Sequence, residues 1–270
     1  MKDYTKQLLA HLQDYKNNSL GITGNGEWRG KQYGHILPQQ MQFNNLLEPI
    51  REDFELYLKN HPDISLHKGF HHLNSSQAFA FNLFYPYFAA GGETARSLSS
   101  IMGVDKDVAD WSFETIPDPV EGTNVDVCWS APDGTTTFCE VKLSESEFGT
   151  TKNDARHKQK LETIYRPRLS GMVKPEILEE ETFFKHYQLL RNISLLHENT
   201  GDHLVLFFPK ANLTLQPQLE RVMNVVLPET ESRISITYWE VCIEQLMQKS
   251  LKPELLEKCA SLLQEKYLIQ

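Results

Sequence analysis

Apolar residues recur at helical spacing from the start of the chain. Leu8, Leu9, Leu12 and Tyr15 share one face of residues 2–16, and Asn17-Asn18-Ser19 stops the pattern. Residues 19–40 are glycine-rich and carry no period, which predicts irregular backbone. The helical spacing returns over 43–60 through Leu46, Leu47, Ile50, Phe54 and Leu58. A third helix is predicted from a cap at Asn74 or Ser75 through QAFAFNLFYPYF, kinked or ended by Pro86, and a short fourth over 92–102. The middle of the chain then changes period. TNVDVCWSAP and TTTFCEVKLS are rich in β-branched and aromatic residues and flank a turn, so they read as a hairpin, with WSFETI as a further strand. Helices over 153–166 and 181–198, strands at HLVLFFP and RISITYW, and one long helix or two over 240–267 complete the pattern.

This order predicts an α/β fold, a mixed central β-sheet flanked by helices with an N-terminal helical extension. No repeat, low-complexity tract or linker divides the chain. One domain is therefore expected over 1–270, made of an extension at 1–70, a core at 71–240 and a C-terminal helix at 241–270.

The hairpin carries the chemistry. Pro132-Asp133-Gly134 fits a three-residue loop, a type I turn closed by a left-handed residue. Ala131 then faces Thr135, paired positions sum to 266, and Asp126 lies across from Glu140. A two-residue Asp-Gly turn would throw the two carboxylates onto opposite faces. The odd loop gives one apolar face of Val125, Val127, Trp129, Cys139, Val141 and Leu143. The other face holds Asp126, Ser130, Glu140 and Lys142, with Cys128 and Phe138 toward the turn. Like charges so close call for a shared proton or a cation. Two carboxylates with room for water suit Mg²⁺, and a neighbouring ammonium can orient its water or offset charge on a phosphate. The same pattern also fits a plain surface hairpin with a cross-strand Glu–Lys pair.

Asp126 at the end of one strand and Glu140-Val141-Lys142 on the next resemble the PD-(D/E)XK, restriction-endonuclease-like, nuclease superfamily. The order helix, β-meander, helix, strand is similar to its αβββαβ core. YGHILP at 33–38, SSQAFAFNLF at 75–84, EGTNVDV at 121–127, EVKLSESEFG at 140–149 and YQLLRN at 187–192 resemble a bacterial branch of it, so the likeness covers about residues 30–240. It implies a Mg²⁺-dependent enzyme, Mn²⁺ being an alternative, that cuts DNA phosphodiester bonds. Asp126, Glu140 and the Val141 backbone carbonyl would hold the metal, and Lys142 would position the attacking water. Gln188 would join the site from the following helix. Glu93, or Gln77 as a polar substitute, would come from the preceding one. Two departures stand out: Val125 replaces the proline of the motif, and the literal Pro117-Asp118 sits in a proline-rich turn where it reads as a loop carboxylate. Alternatives are a phosphodiesterase of the same fold acting on RNA or nucleotides, and a non-catalytic module binding nucleic acid or protein.

Composition narrows this further. Twenty-seven Lys and Arg against 36 Asp and Glu give a net charge of −9, which excludes a protein that coats nucleic acid by counterion release. The charge is uneven. Residues 152–174 hold seven Lys and Arg against Asp154 and Glu162, a net of +5 directly after the EVK strand. Lys152, Arg156, Lys158, Lys160, Arg166 and Arg168 are thus candidate phosphate contacts. No run is long and apolar enough to cross a bilayer and no secretory leader is seen, so a cytoplasmic protein is expected, with DNA, double-stranded in preference, as partner and a homodimer as its assembly. Four scattered cysteines form neither a disulfide scaffold nor a zinc site. GNGEWRGK at 24–31 lacks the strand and the Lys-Ser/Thr of a phosphate loop and reads as an irregular loop. His67 and His71 have no matched partner ligand and read as surface or capping residues.

Overall fold

The computed structural model describes residues 4–249 and 254–269. Helix α1 (Tyr4–Asn18) leads into a small hairpin, β1 (Gly26–Trp28) and β2 (Lys31–Tyr33). Helices α2 (Arg51–Asn60), α3 (Ser76–Ala90) and α4 (Gly92–Ile101) follow, and then the meander β3 (Asp110–Thr115), β4 (Val125–Ser130) and β5 (Thr136–Val141). Next come α5 (Ala155–Lys160), joined through a wide π turn at Leu161–Tyr165 to α6 (Arg166–Leu169), and then α7 (Glu180–Lys185) and α8 (Tyr187–Ser194). Strand β6 (His203–Phe208), α9 (Gln216–Met223), α10 (Pro228–Glu231), β7 (Ile234–Tyr238), α11 (Trp239–Gln248) and α12 (Glu254–Tyr267) complete the order.

The main sheet runs β3-β4-β5-β6-β7, antiparallel through β5 and parallel from β5 to β7. Helices cover both of its faces. On one side Val127, Trp129, Cys139, Val141 and Leu143 pack with α1, α3, α4, α11 and α12. On the other, Cys128 and Phe138 join Leu204, Leu206 and Phe208 beneath α7, α8 and α9. The hairpin face expected to be polar is thus a second core, with its charged residues confined to the open end. Val125 leaves the first cluster for the second. Each aliphatic side chain so buried contributes about 1.5–3 kcal/mol. The N-terminal segment is integral, since Leu8 and Leu12 belong to the first cluster and are fully buried.

Several elements depart from the hydrophobic pattern. The apolar run at 43–60 becomes a regular α-helix only at Arg51, after two 3-10 turns. Buried side-chain amides replace its helical bonds: Asn45 Nδ2 donates to Phe70 O and His72 O, and Leu47 N–H donates to Asn82 Oδ1. Helix α3 starts where predicted, capped by Ser75 Oγ accepting from Ala78 N–H at 3.3 Å, but passes through Pro86 to Ala90, with eleven of its fifteen residues buried, Pro86 among them. The stretch 181–198 breaks at His186 into α7 and α8. The segment 24–33, expected to be irregular, forms the β1–β2 hairpin.

Candidate active site

The turn between β4 and β5 sets the site. Ala131 N–H donates to Thr135 O at 2.9 Å and Gly134 N–H to Ala131 O at 3.0 Å, with Gly134 at φ +83°, where a Cβ is strained. Val127 therefore pairs with Cys139 and Ser130 with Thr136, the register that puts Asp126 level with Glu140. On the other flank Phe113 faces Val127 and Thr115 faces Val125, which puts Glu114 at the same level. Three adjacent strands thus carry Glu114, Asp126 and Glu140 in one row. Glu114 has a left-handed backbone, φ +51°, which breaks the alternation of β3 and re-aims its side chain. Sequence reasoning missed Glu114, because the strand period alone gives no sign of that kink.

Past the Val127–Cys139 pair the ladder opens, and Asp126 Oδ2 accepts the Val141 N–H at 2.7 Å. Glu140 is 2 % exposed and faces four donors. Its Oε1 accepts from Gln188 Nε2 at 2.6 Å and lies 2.8 Å from Lys142 Nζ. Its Oε2 accepts from Asn192 Nδ2 at 2.8 Å and lies 3.5 Å from an Arg191 guanidinium nitrogen. Lys142 Nζ also donates to Gln188 Oε1 at 3.0 Å. Gln188 and Asn192 are one turn apart on α8 and so reach the same carboxylate. Arg191 Nη2 bonds Asn192 Oδ1 at 2.7 Å, which fixes the amide.

The electrostatics divide the two central acids. Burial alone would raise Glu140, but Lys142 and Arg191 outweigh it and hold its carboxyl below the ordinary range. Burial likewise disfavours the Lys142 ammonium, yet Glu140, Asp126 and Glu145 raise it on balance. Burial and the charge of Glu140 push Asp126 well up, with Glu114 adding to the effect and Lys142 only partly offsetting it. A carboxylate in that position is the one a divalent cation relieves. Among the described residues, no three His, Cys, Asp or Glu side chains form a complete metal cage. Mg²⁺ does not require one, since it retains several waters beside one or two carboxylates. Asp126 and Glu140 are donors of the chemical kind such an ion takes.

Of the residues read from the sequence, Asp126, Glu140, Lys142 and Gln188 come together. Glu93 does not join them. Gln77, in the first turn of α3, bonds Glu114 Oε1 at 2.8 Å and so marks the site end of that helix. Glu93 is exposed just beyond the other end, about 22 Å away along fifteen residues of helix. The acid next to Asp126 is Glu114 instead. Asp118 pairs with Arg168 and accepts from Val120 N–H at 2.9 Å, so it braces its own loop. Glu145 accepts from Leu143 N–H at 2.6 Å and caps the end of β5.

The basic run is largely occupied by internal pairs. Lys158 lies 2.8 Å from Glu180, Arg166 lies 2.7 Å from Glu162, and Arg168 holds Asp118. Lys160 turns inward to buried Glu121, which also accepts from Tyr165 OH at 2.5 Å. Lys152 and Arg156 remain exposed. His67 is mostly exposed, its Nε2 3.6 Å from Glu114 Oε2, whereas His71 is buried.

A five-stranded mixed sheet between helices, with an Asp on one central strand and a Glu-x-Lys on the next, is the architecture of restriction-endonuclease-like proteins. The chain belongs to the family described as restriction endonuclease associating with ARP (REase-ARP), whose model matches residues 9–268. No curated protein and no solved structure matches the chain. Among the described residues no helix is long and apolar enough to cross a membrane.

Proposed function

We propose that this chain is a Mg²⁺-dependent nuclease that hydrolyses DNA phosphodiester bonds. The observation that carries the reading is the convergence of Asp126, Glu140, Lys142 and Gln188 at one open end of the central hairpin. Asp126, Glu140 and the Val141 carbonyl would hold Mg²⁺ or Mn²⁺, with Glu114 as a further acid. The ion would acidify a bound water and neutralise charge on the phosphoryl oxygens. Lys142, held upright by Glu140 and Gln188, orients the attacking water and stabilises the negative charge that develops on the phosphate. Asn192 and Arg191 keep Glu140 ionised and fixed, so the ammonium does not drift. Family membership supports a nuclease-like role and DNA as substrate.

The test is cleavage of plasmid, linear duplex and single-stranded DNA, and of RNA, with Mg²⁺ or Mn²⁺ and with chelator. DNA cleavage that needs the metal, and that falls about 100-fold or more in Lys142→Ala, is expected from loss of one preorganised charge. Folded wild-type protein with no metal-dependent activity on any of these substrates would overturn the reading.

A further inference from the structure

The β1–β2 hairpin has a tip that its local sequence does not favour. Trp28 pairs with Lys31, so Arg29 and Gly30 alone make the turn. Both have positive φ, +52° and +76°, the mirror-image turn that suits a right-twisted hairpin. Asn-Gly or Gly-Gly takes that shape without strain, whereas an arginine is held there against its preference. Strain of this kind at an exposed tip points to function. The Arg29 guanidinium carbon lies 5.8 Å from the Trp28 ring centroid, which steadies the charge. Arg29 and Lys31 are exposed and, among the described residues, have no acidic partner. That separates them from Lys158, Lys160, Arg166 and Arg168.

The hairpin is also tied to the segment that leads into α3, the helix whose first turn meets Glu114. Gly26 N–H donates to Ile36 O at 2.8 Å, and a Cβ at Gly26 would meet Leu37 O at 2.1 Å, so only glycine permits the approach. Buried Lys16 ties the base through Gly24 O at 2.8 Å and Asn25 Oδ1 at 2.7 Å. The Trp28 ring meets His72 edge-on at 4.7 Å. Two residues further, Asn74 Nδ2 donates to Ser144 Oγ at 2.8 Å, and Ser144 is two residues past Lys142. Residues 72–74 thus link the hairpin to Ser144, on the segment that follows the Glu-Val-Lys triplet.

Resting on the nuclease reading above, we propose that this hairpin is a substrate arm whose Arg29 and Lys31 grip backbone phosphates of duplex DNA on the flank of the site. Arginine forks a phosphate through two N–H donors, and a preorganised arm loses little freedom on binding.

The experiment measures binding of a labelled duplex by fluorescence anisotropy across a salt series with Ca²⁺ present. Wild type, Lys142→Ala, Arg29→Gly and the double variant Arg29→Gly/Lys31→Gln are compared, and each is also assayed for cleavage with Mg²⁺. Glycine relieves the strained φ, so Arg29→Gly should melt no lower than wild type. Roughly tenfold weaker binding is expected for Arg29→Gly. The slope of log K against log salt should shrink by about one for the single variant and about two for the double. Lys142→Ala should lose cleavage, which tests the nuclease reading apart from the arm. Unchanged affinity and slope in the double variant would overturn the arm, even if wild type cuts DNA. Absence of any duplex binding by wild type would overturn it as well. Duplex binding that depends on Arg29, with no cleavage under any condition, would uphold the arm while the nuclease reading fails.

Discussion

Glu140 touches Lys142, Gln188, Asn192 and Arg191, so its neighbours depend on it as much as it does on them. Glu140→Ala would strand two buried cations and should cost about 3–5 kcal/mol in urea unfolding. Gln188→Ala removes one bond to each of Glu140 and Lys142, and a loss of about 1–3 kcal/mol is expected together with slower cleavage. The two central acids should respond oppositely to pH. Folding raises Asp126, so its contribution is present at acid pH and is lost as pH climbs through the raised value. Folding lowers Glu140, so its contribution is present at neutral pH and lost as pH falls. Urea midpoints measured in chelator should therefore shift in favour of Asp126→Asn over wild type as pH rises from about 4 to about 8. An Asp126→Asn advantage that does not grow over that range would contradict the assigned electrostatics.

At the scale of elements, the β4–β5 loop is the part on which most depends. Gly134 closes it at φ +83°, and Gly134→Ala should destabilise the protein by about 1–2 kcal/mol in the same assay. Loss of the Ser75 cap in Ser75→Ala should cost about 1 kcal/mol. The loop shows why some of the structure was legible in advance. Pro-Asp-Gly chemistry is local, so it fixes a register, and the register alone brings Asp126 and Glu140 level. Gln188 was reachable only through the resemblance of YQLLRN to the helix that follows the motif hairpin in the superfamily. Glu114 and the two ends of α3 were not, since they depend on a backbone kink and on which end of a buried helix meets the sheet. The 24–33 hairpin gives no strand signal in the sequence because its strands are only three residues long and Gly26 is their one buried position, leaving no hydrophobic alternation to detect. His186 splits a continuous apolar stripe, and no change of period marks the break.

Across the whole molecule, the sheet divides the interior into two cores, and the N-terminal helix belongs to the first of them. Leu12→Ala, though far in sequence from the acids, should lower stability by about 2–5 kcal/mol, read as a shift of the urea midpoint with an unchanged slope. The net charge of −9 takes on a different meaning at this scale. Most cations of the 152–174 run are engaged with acids of the same chain, so the run adds little long-range attraction for an anionic polymer.

The division of the interior reaches the thiols. Cys139, Cys242 and Cys259 lie in one core and Cys128 in the other, all unpaired and buried. Burial pushes every one of these thiols up, so none reacts while its own core stays shut. Alkylation of the native protein is therefore a clock with two hands. The rate at Cys128 times the opening of the helices around α8, and the other three time the opening of the side that holds α3 and α12.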